Sequence, residues 1–334
     1  MNIILTSVGR RSYLVRYFKK AIKNNGKIFV SNSNITVATK EADDYLITPL
    51  IYDPDYIAVL LNYCIENKIT HVISVFDVDL LVLSQNIDLF KKNNIEILLA
   101  PEASVGICND KWKTYLFFHQ NKLNTPKTFL NIEDIIKNIE QGNLNYPIII
   151  KPRWGMASIG IYIADNENEL RILANKCKKE IFESYLKYES SFTAEESVIY
   201  QELIKGQEYG LDVISDLKGR YVKTFAKKKV SMRAGETDIG ETVSSEIFED
   251  SAKIIHNLLL SKVILSVDCF VNKGQIYFIE INCRISGHYP VSHVAGVNLP
   301  QQIINWIQEK KTDHNLLTIQ EGVRVTKDLV PCRI

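Results

Sequence analysis

Short apolar runs alternate with stretches of helical spacing over residues 1–102. Four of the runs have the length and the β-branched composition of buried strands: NIILTSV, KIFVSN, HVISVF and IEILLA. Between them, residues 11–24 and 54–67 carry apolar side chains at helical spacing. Strands that alternate with helices build βαβ units, in which helices cover a parallel sheet. The pattern therefore predicts a parallel-sheet domain over residues 1–102.

The pattern changes at Pro101, after which strands and helices no longer alternate regularly. Residues 103–200 contain the strand YPIIIKP, a glycine-bearing loop, the strand IYIA and a helix over about 167–188. Residues 201–334 contain the strands KGQEYGLDVIS and YVKTFAKKKV, followed by the polar segment SMRAGETDIGE, which predicts a loop. Two further strands, ILSVDCFVN and QIYFIEIN, are joined by a Lys273-Gly274 turn and predict a hairpin. The predicted fold class is α/β at the N-terminus and α+β beyond it.

Composition and charge exclude several classes of protein. The 334 residues include 40 basic and 39 acidic ones, so no overall field attracts nucleic acid or an anionic membrane. The N-terminal apolar run is too short for a signal peptide, and no later run reaches a membrane-spanning length. The six cysteines form no C-x-x-C pair and indicate neither a disulfide framework nor a zinc site. We therefore expect a cytoplasmic protein with no nucleic-acid or membrane partner.

The predicted hairpin carries a candidate metal site. Glu280 and Asn282 are two positions apart on one strand and so share a face, and Asp268 lies on the partner strand. Folding the hairpin about its turn brings the two carboxylates alongside each other. Carboxylate and amide oxygens suit Mg²⁺, which shares its remaining positions with water and substrate phosphates. The alternative is a structural sheet end, whose acids pair with Arg284 or a nearby lysine.

A loop after the strand that ends at Lys151 is a candidate phosphate site. Backbone N–H groups of such a loop can surround a phosphate while the lysine supplies charge. Its candidate residues are Arg153, Gly155, Ser158 and Gly160. The alternative is an ordinary solvated turn.

Three more residues are candidates for nucleotide contacts. Lys111 begins a helix from which its ammonium can point into a neighbouring cleft, unless it is simply an exposed charge. Glu202 and Glu208 flank a predicted bend, where they could contact an adenine edge and ribose hydroxyls or merely cap a turn. The first turn, SVGRRS, has one glycine where a dinucleotide-binding turn needs three, which disfavours an NAD oxidoreductase.

In this order, the motifs resemble the ATP-grasp superfamily over about residues 111–287, preceded by a segment similar to a pre-ATP-grasp domain. The most specific match is the set Asp268, Glu280, Asn282 and Arg284, supported by PIIIKPRWGMASIG and QELIKGQEYGLDV. ILTSVGRRSYL and MRAGETD are most similar to proteins related to the carbamoyl-phosphate synthase large subunit, here with a single ATP-grasp unit. The resemblance implies a small lobe over 103–200 and a large lobe over 201–334, with ATP between them.

The resemblance also implies roles for the candidate residues. Lys111 and Lys151 would contact phosphates or adenine, the backbone of Gln201, Glu202 and Leu203 the adenine edge, and Glu208 the ribose. Asp268, Glu280 and Asn282 would hold Mg²⁺, with Mn²⁺ as the alternative ion.

The activity implied is that of an ATP-dependent carboxylate–amine ligase that forms an acylphosphate. Arg284, beside the metal ligands, would stabilise the transferring phosphoryl group, and Arg233 would bind the substrate carboxylate or be an exposed loop charge. At most one or two of Lys227, Lys228 and Lys229 reach the site, because alternate side chains of a strand face opposite ways. His288 and His293 could line an acceptor pocket or be satisfied locally.

Two other functions stay open: a carbamoyl-phosphate-synthase-like enzyme that activates bicarbonate, and a nucleotide-binding regulatory subunit that has lost catalysis. The implied partners are a small carboxylate and an amine, and a homodimer is left open.

Overall fold

A computed structural model of the protein describes residues 1–156, 159–328 and 330–333. Its N-terminal part is a parallel sheet of five strands in the order β3-β2-β1-β4-β5. The strands are β1 (Asn2–Thr6), β2 (Lys27–Asn32), β3 (Asp44–Ile47), β4 (His71–Ser74) and β5 (Glu96–Ile97). The helices around them are α1 (Ser12–Ile22), α2 (Val37–Glu41), α3 (Tyr56–Glu66), α4 (Asp77–Ser84) and α5 (Ile87–Lys92), with a 3₁₀ turn at Lys23–Asn25. The predicted parallel sheet is confirmed, and the short β3 is an addition to it.

A second sheet of four strands follows, in the order β6-β9-β7-β8, and all its pairs are antiparallel. Its strands are β6 (Thr128–Phe129), β7 (Ile148–Pro152), β8 (Tyr162–Ala164) and β9 (Val198–Glu202). The connecting helices are α6 (Glu102–Asn109), α7 (Lys111–Gln120), α8 (Ile132–Glu140), α9 (Glu167–Glu183) and α10 (Lys187–Ser190), followed by a 3₁₀ segment at Ser191–Glu196. Helices α8 and α9 pack on this sheet around a core of its own. We call this unit the small lobe.

The third sheet, that of the large lobe, has six antiparallel strands in the order β14-β13-β10-β11-β12-β15. They are β10 (Gln207–Ser215), β11 (Tyr221–Arg233), β12 (Glu236–Val243), β13 (Ile264–Asn272), β14 (Gln275–Asn282) and β15 (Arg324–Thr326). The helices are α11 (Glu249–Leu259), α12 (Tyr289–Val294) and α13 (Leu299–Ile307), with 3₁₀ turns at Glu246–Phe248 and His314–Leu317. The predicted α/β and α+β fold class is therefore confirmed.

The segment SMRAGETDIGE is not the loop that its polar composition predicts. Strand β11 continues to Arg233, and β12 begins at Glu236. Ala234 and Gly235, with φ of 48° and 76°, make the tight turn between them. Positive φ at both central residues fits a two-residue hairpin turn. The expectation was wrong because cross-strand backbone hydrogen bonds, which composition does not reveal, hold the segment in the sheet.

Two hydrophobic cores join the N-terminal sheet to the large lobe. One packs Leu211, Val267 and Phe278 of the large sheet with residues of α3 to α7 and α11, and the other packs α1 against α13. Burying these apolar surfaces holds the two units together. The carboxyl end of the parallel sheet is thereby placed beside the end of the predicted metal hairpin.

Candidate functional site

One face of the large sheet carries the predicted metal-binding residues. Cross-strand register pairs Asp268 with Glu280, and Ser266 with Asn282. Residues that are paired or two apart on neighbouring strands point to the same face. The two carboxylates and the amide are thus brought together on one face, at the end of the hairpin that continues to Arg284.

Asp268 lies among both acidic and basic side chains. Burial raises the pKa of its carboxyl, and the nearby charges of Glu208 and Glu280 raise it further. Lys229 opposes this, with its Nζ 2.9 Å from Asp268 Oδ1 and 2.7 Å from Glu208 Oε1. Lys229 therefore balances the charge of both Asp268 and Glu208, a role that a divalent cation bound to Asp268 would share.

The donor set fits Mg²⁺, because all its predicted protein ligands are hard oxygens. Across residues 1–156, 159–328 and 330–333, no three His, Cys, Asp or Glu side chains form a metal-binding group. A cation held by Asp268, Glu280 and Asn282 would therefore take further ligands from phosphate oxygens and water.

Glu280 is surrounded by cations from other elements. Burial raises the pKa of its carboxyl, but Lys111, Lys151 and Arg284 outweigh this effect and leave the pKa below its usual value. Lys111 Nζ lies 4.0 Å from Glu280 Oε1 and donates to the carbonyl of Gly155. The start of α7, the loop after β7 and the hairpin therefore meet at one cleft.

Lys151 is a buried lysine on the small-lobe side of this cleft. Its Nζ donates a 2.7 Å hydrogen bond to Gln201 Oε1, and Gln201 Nε2 donates to Thr128 Oγ1 at 2.8 Å. Burial and the charge of Lys111 lower the pKa of Lys151 to about 8. The lysine is thus held by one neutral acceptor, which an anionic ligand could replace.

The remaining small-lobe candidates have separate environments. Glu202 closes β9 and accepts from the backbone N–H of Lys127 at 3.1 Å, and the half-buried Leu203 follows it. Gly160 has a φ of 67°, which favours glycine. Arg153 forms two 2.8 Å hydrogen bonds with Asp110 and so anchors the base of the loop. Ser158 lies outside the described residues.

Arg284 points to the N-terminal domain as well as to the hairpin. Its Nη2 donates to Asp77 Oδ2, and the charges of Asp77, Glu280 and Asp268 together keep the pKa of Arg284 raised despite its burial. Asp77 is the first residue of α4, shortly after β4. Sequence reasoning missed Asp77, although a carboxylate just beyond the carboxyl end of a parallel strand commonly faces a ligand site.

Arg233 is placed differently from the other candidates. Its half-exposed side chain pairs with Asp238 at 2.7 Å. None of the ion pairs or hydrogen bonds found within the described ranges joins Arg233 to Asp268, Glu280 or Arg284. On the same hairpin, the Glu236 carboxylate lies 3.0 Å from Lys327 Nζ and 4.0 Å from Arg11 Nη2.

A buried polar network lies beside the β13–β14 hairpin. His288 Nε2 is 2.9 Å from Ser266 Oγ, and His288 Nδ1 is 3.4 Å from Asp212 Oδ1. Burial and the neighbouring charges of Lys227 and Lys229 hold the pKa of His288 well below its usual value. A Cβ on Gly210 would come within 2.8 Å of the His288 ring, so only glycine leaves room for it. His293, by contrast, stacks on Tyr17 at 3.6 Å between ring centroids.

The ion pair of Lys227 and Asp212 lies in this network, and both side chains are fully buried. Lys227→Met is expected to lower the free energy of unfolding by about 3–5 kcal/mol, because it leaves a buried carboxylate without its partner. Urea unfolding measures the loss. Lys228→Met, on the other face of the same strand and partly exposed, should change stability by about 0.5 kcal/mol or less. Equal losses in both variants would contradict the buried pair.

Two known protein families match separate parts of the chain. Residues 3–98 match the family described as PylC-like, N-terminal domain, and residues 108–288 match the ATP-grasp domain family. The chain belongs to the ATP-grasp family. The predicted family and its single ATP-grasp unit are thus confirmed, as is the similarity to carbamoyl-phosphate synthase described next.

Curated ATP-grasp relatives match parts of the chain. The coenzyme gamma-F420-2:alpha-L-glutamate ligase of Methanocaldococcus jannaschii is 28% identical over 184 residues, which are 54% of this chain and 60% of that protein. The carbamoyl phosphate synthase arginine-specific large chain of Bacillus subtilis is 22% identical over 280 residues, 81% of this chain but 25% of that protein. The chain therefore spans between a quarter and three-fifths of these relatives.

Solved structures share the fold over nearly the whole chain. The biotin carboxylase domain dimer of Hydrogenobacter thermophilus 2-oxoglutarate carboxylase, in complex with MgADP, ADP and bicarbonate, has a TM-score of 0.75 at 14% identity and covers 96% of this chain and 73% of its own. The L-amino acid ligase of Bacillus licheniformis has a TM-score of 0.69 at 18% identity, covering 96% and 77%. Among the described residues, no helix combines the length and apolarity needed to cross a membrane.

Proposed function

We propose that this ATP-grasp protein is an ATP-dependent carboxylate–amine ligase that activates its acid as an acylphosphate. The observation that carries the proposal is the convergence on one cleft of two small-lobe lysines, two large-lobe carboxylates and a largely buried arginine. Lys111 and Lys151 act electrostatically on Glu280, which is paired with Asp268 and close to Arg284. Such a set neutralises and aligns phosphates, which is most of what phosphoryl transfer requires of a protein.

In this cleft the residues have distinct roles. Lys111 and Lys151 bind the phosphates, the backbone of Gln201 to Leu203 contacts the adenine edge, and Glu208 accepts from the ribose. Asp268, Glu280 and Asn282 would hold Mg²⁺, which neutralises phosphate charge when bound.

The chemistry then proceeds in two transfers. An oxygen of the substrate carboxylate attacks the γ-phosphorus, and ADP leaves with the bridging oxygen. The amine attacks the acyl carbon, phosphate leaves with the C–O bond electrons, and the amine gives up a proton. Arg284 stabilises the charge that develops on the transferring phosphoryl group and on the acyl oxygen.

ADP release over a panel of amino acids and small carboxylates tests the proposal. Release should depend on one added acid, and hydroxylamine in place of the amine should trap the acylphosphate as a hydroxamate. ATP binding without acid-dependent release would instead indicate a regulatory nucleotide-binding protein. Release with bicarbonate as the sole acid would favour the second candidate, bicarbonate activation, which the match to carbamoyl phosphate synthase over 81% of this chain supports.

Lys151→Ala is expected to raise the KM for ATP about tenfold or more with kcat little changed. The reason is that the lysine contacts the phosphates equally in the ground state and in the transition state. Since the pKa of Lys151 is about 8, wild-type affinity for ATP should fall as pH rises through that value and the ammonium loses its charge. Lys151→Arg keeps its charge and should remove this dependence.

Initial rates at saturating acid, measured from about pH 7 to 9, check both expectations. Lys122→Ala, which removes an exposed lysine, is the matched control. A fall in kcat at unchanged ATP KM would place Lys151 with the reacting groups instead.

A further inference from the structure

A second charged cluster lies where the N-terminal sheet, the β11–β12 hairpin and the C-terminal segment meet. Arg11, between β1 and α1, has its Nη2 4.0 Å from Glu236 Oε1. Lys327 Nζ lies 3.0 Å from the other oxygen of Glu236 and 3.3 Å from the carbonyl oxygen of Gly287. Tyr13 is close enough for its pKa to respond to the charges of Arg11, Glu236 and Arg284. We call Arg11, Tyr13, Glu236, Lys327 and the bordering Arg284 the Arg11 cluster.

Several polar atoms of the Arg11 cluster lack partners. Arg11 Nε, Arg284 Nε and the Tyr13 hydroxyl are buried atoms that make no hydrogen bond within the described part of the chain. The 4.0 Å contact between Arg11 and Glu236 is also too long for a hydrogen bond. An unsatisfied buried donor is costly, and native structures usually pair such groups. Three unpaired groups in one cluster therefore indicate that a ligand completes it.

The charges of the cluster define the chemistry of that ligand. Burial lowers the pKa of Arg11, and the positive charge of the nearby Arg284 lowers it further. Both guanidinium groups keep a buried Nε without a partner among the described residues, and two such groups in one cluster favour a carboxylate, since each offers a planar pair of donors. The Glu236 carboxylate lies beside Arg11 and Lys327, and 48% of its side chain is exposed, so an ammonium can approach it as an acceptor. A ligand with one carboxylate and one ammonium satisfies both halves of the cluster.

We propose that the Arg11 cluster binds a free amino acid, with its carboxylate between Arg11 and Arg284 and its ammonium at Glu236. The proposal rests on the proposed function only in taking this amino acid as one of the ligase's two substrates. Arg284 connects the two sites, because it also lies within the electrostatic reach of Glu280 and Asp268. The amino acid is thereby held next to the phosphoryl end of the nucleotide cleft.

Arg11→Gln tests the carboxylate half. We expect its KM for the preferred amino acid to rise about tenfold or more, with the KM for ATP unchanged, since hydrogen bonds to charged groups contribute about that much. Arg10→Gln alters an exposed neighbour and should leave both constants unchanged. Arg11→Lys keeps the charge without the planar fork and should recover only part of the affinity. An unchanged amino-acid KM in Arg11→Gln would overturn the proposal.

Glu236→Gln tests the ammonium half. Each free L- and D-amino acid of the panel is compared with the matching carboxylic acid that lacks the amine. Glu236→Gln should raise the KM for the amino acid about tenfold or more, because the amino acid contacts Glu236 through its ammonium. The KM for the amine-free acid, which is higher in the wild type, should not change. Equal KM values for the amino acid and its amine-free counterpart in the wild type would overturn the proposal.

Binding without turnover separates this proposal from that of ligase activity. Amino acids of the panel, added without ATP, should raise the unfolding temperature of the wild type and of Arg10→Gln but not of Arg11→Gln. This pattern supports the cluster as an amino-acid site even if no acid promotes ADP release. No shift with any amino acid, or the same shift in Arg11→Gln, would overturn the site while acid-dependent ADP release could still stand.

Discussion

Glu280→Gln is expected to abolish acid-dependent ADP release while leaving the fold nearly as stable. Glutamine keeps the size of the side chain but removes one of the two charges that face each other across the hairpin. The cation would lose a charged ligand, and Lys111, Lys151 and Arg284 would lose the carboxylate around which they gather. We expect turnover to fall at least a hundredfold, which corresponds to about 2.7 kcal/mol of transition-state stabilisation.

The measurement is the rate of ADP formation at saturating Mg²⁺, with urea unfolding beside it. Glu246→Gln, which makes the same chemical change at an exposed position, is the control and should keep wild-type turnover. If Glu280→Gln formed ADP at the wild-type rate, the proposed metal site would be wrong. If it lost turnover only together with stability, the carboxylate would be a structural partner of the lysines.

Arg284→Ala is expected to lower kcat about a hundredfold or more with the KM for ATP largely intact, as loss of a donor to developing charge does. The ion pair of Arg284 with Asp77 raises a competing explanation, because the arginine could serve only to hold the N-terminal domain on the hairpin. Asp77→Asn distinguishes the two roles. It removes the charge of the partner and leaves the guanidinium in place.

A catalytic role predicts that Asp77→Asn keeps kcat within a few-fold of the wild type while Arg284→Ala does not. A purely structural role predicts similar losses of kcat and of unfolding free energy in both variants. Arg284→Lys should recover little of kcat, because an ammonium does not reproduce the bidentate fork. A raised KM for ATP at unchanged kcat would make Arg284 a ground-state nucleotide ligand.

The central part of the candidate site could be predicted because its spacing is local. The two-residue turn at Lys273-Gly274 predicts the hairpin itself, whereas a register shift between Asp268 and Cys269, which the sequence does not reveal, brings Asp268 opposite Glu280. Lys151 was likewise identifiable, because it closes an apolar strand just before a glycine-bearing loop. The hydrogen-bond partner of its ammonium could not be predicted, because Gln201 lies on the neighbouring strand and its position depends on strand pairing in the sheet.

Residues that look alike in the sequence have different environments in the folded protein. Lys227, Lys228 and Lys229 form one uniform run in the sequence, yet Lys227 and Lys229 are buried in ion pairs and Lys228 is partly exposed. Their alternation was predictable from strand geometry, whereas their partners were not, because those lie on other strands. Within the MRAGETD segment, Arg233 was the predicted site residue because of its charge, but it pairs with Asp238 on the same hairpin. Glu236 is the side chain that lies beside Arg11 of the N-terminal domain.

The sequence by itself determined the parallel N-terminal sheet, the β13–β14 hairpin and the family, because each depends on periodicity or on motifs within a short stretch of chain. Only the tertiary structure decided which distant charges meet. Asp77 and Arg284 are 207 positions apart, and Arg11 meets Glu236 only because α1 packs against the large lobe. Such pairs leave no local pattern, since apolar packing between separate units brings them together and burial then gives their charges their strength.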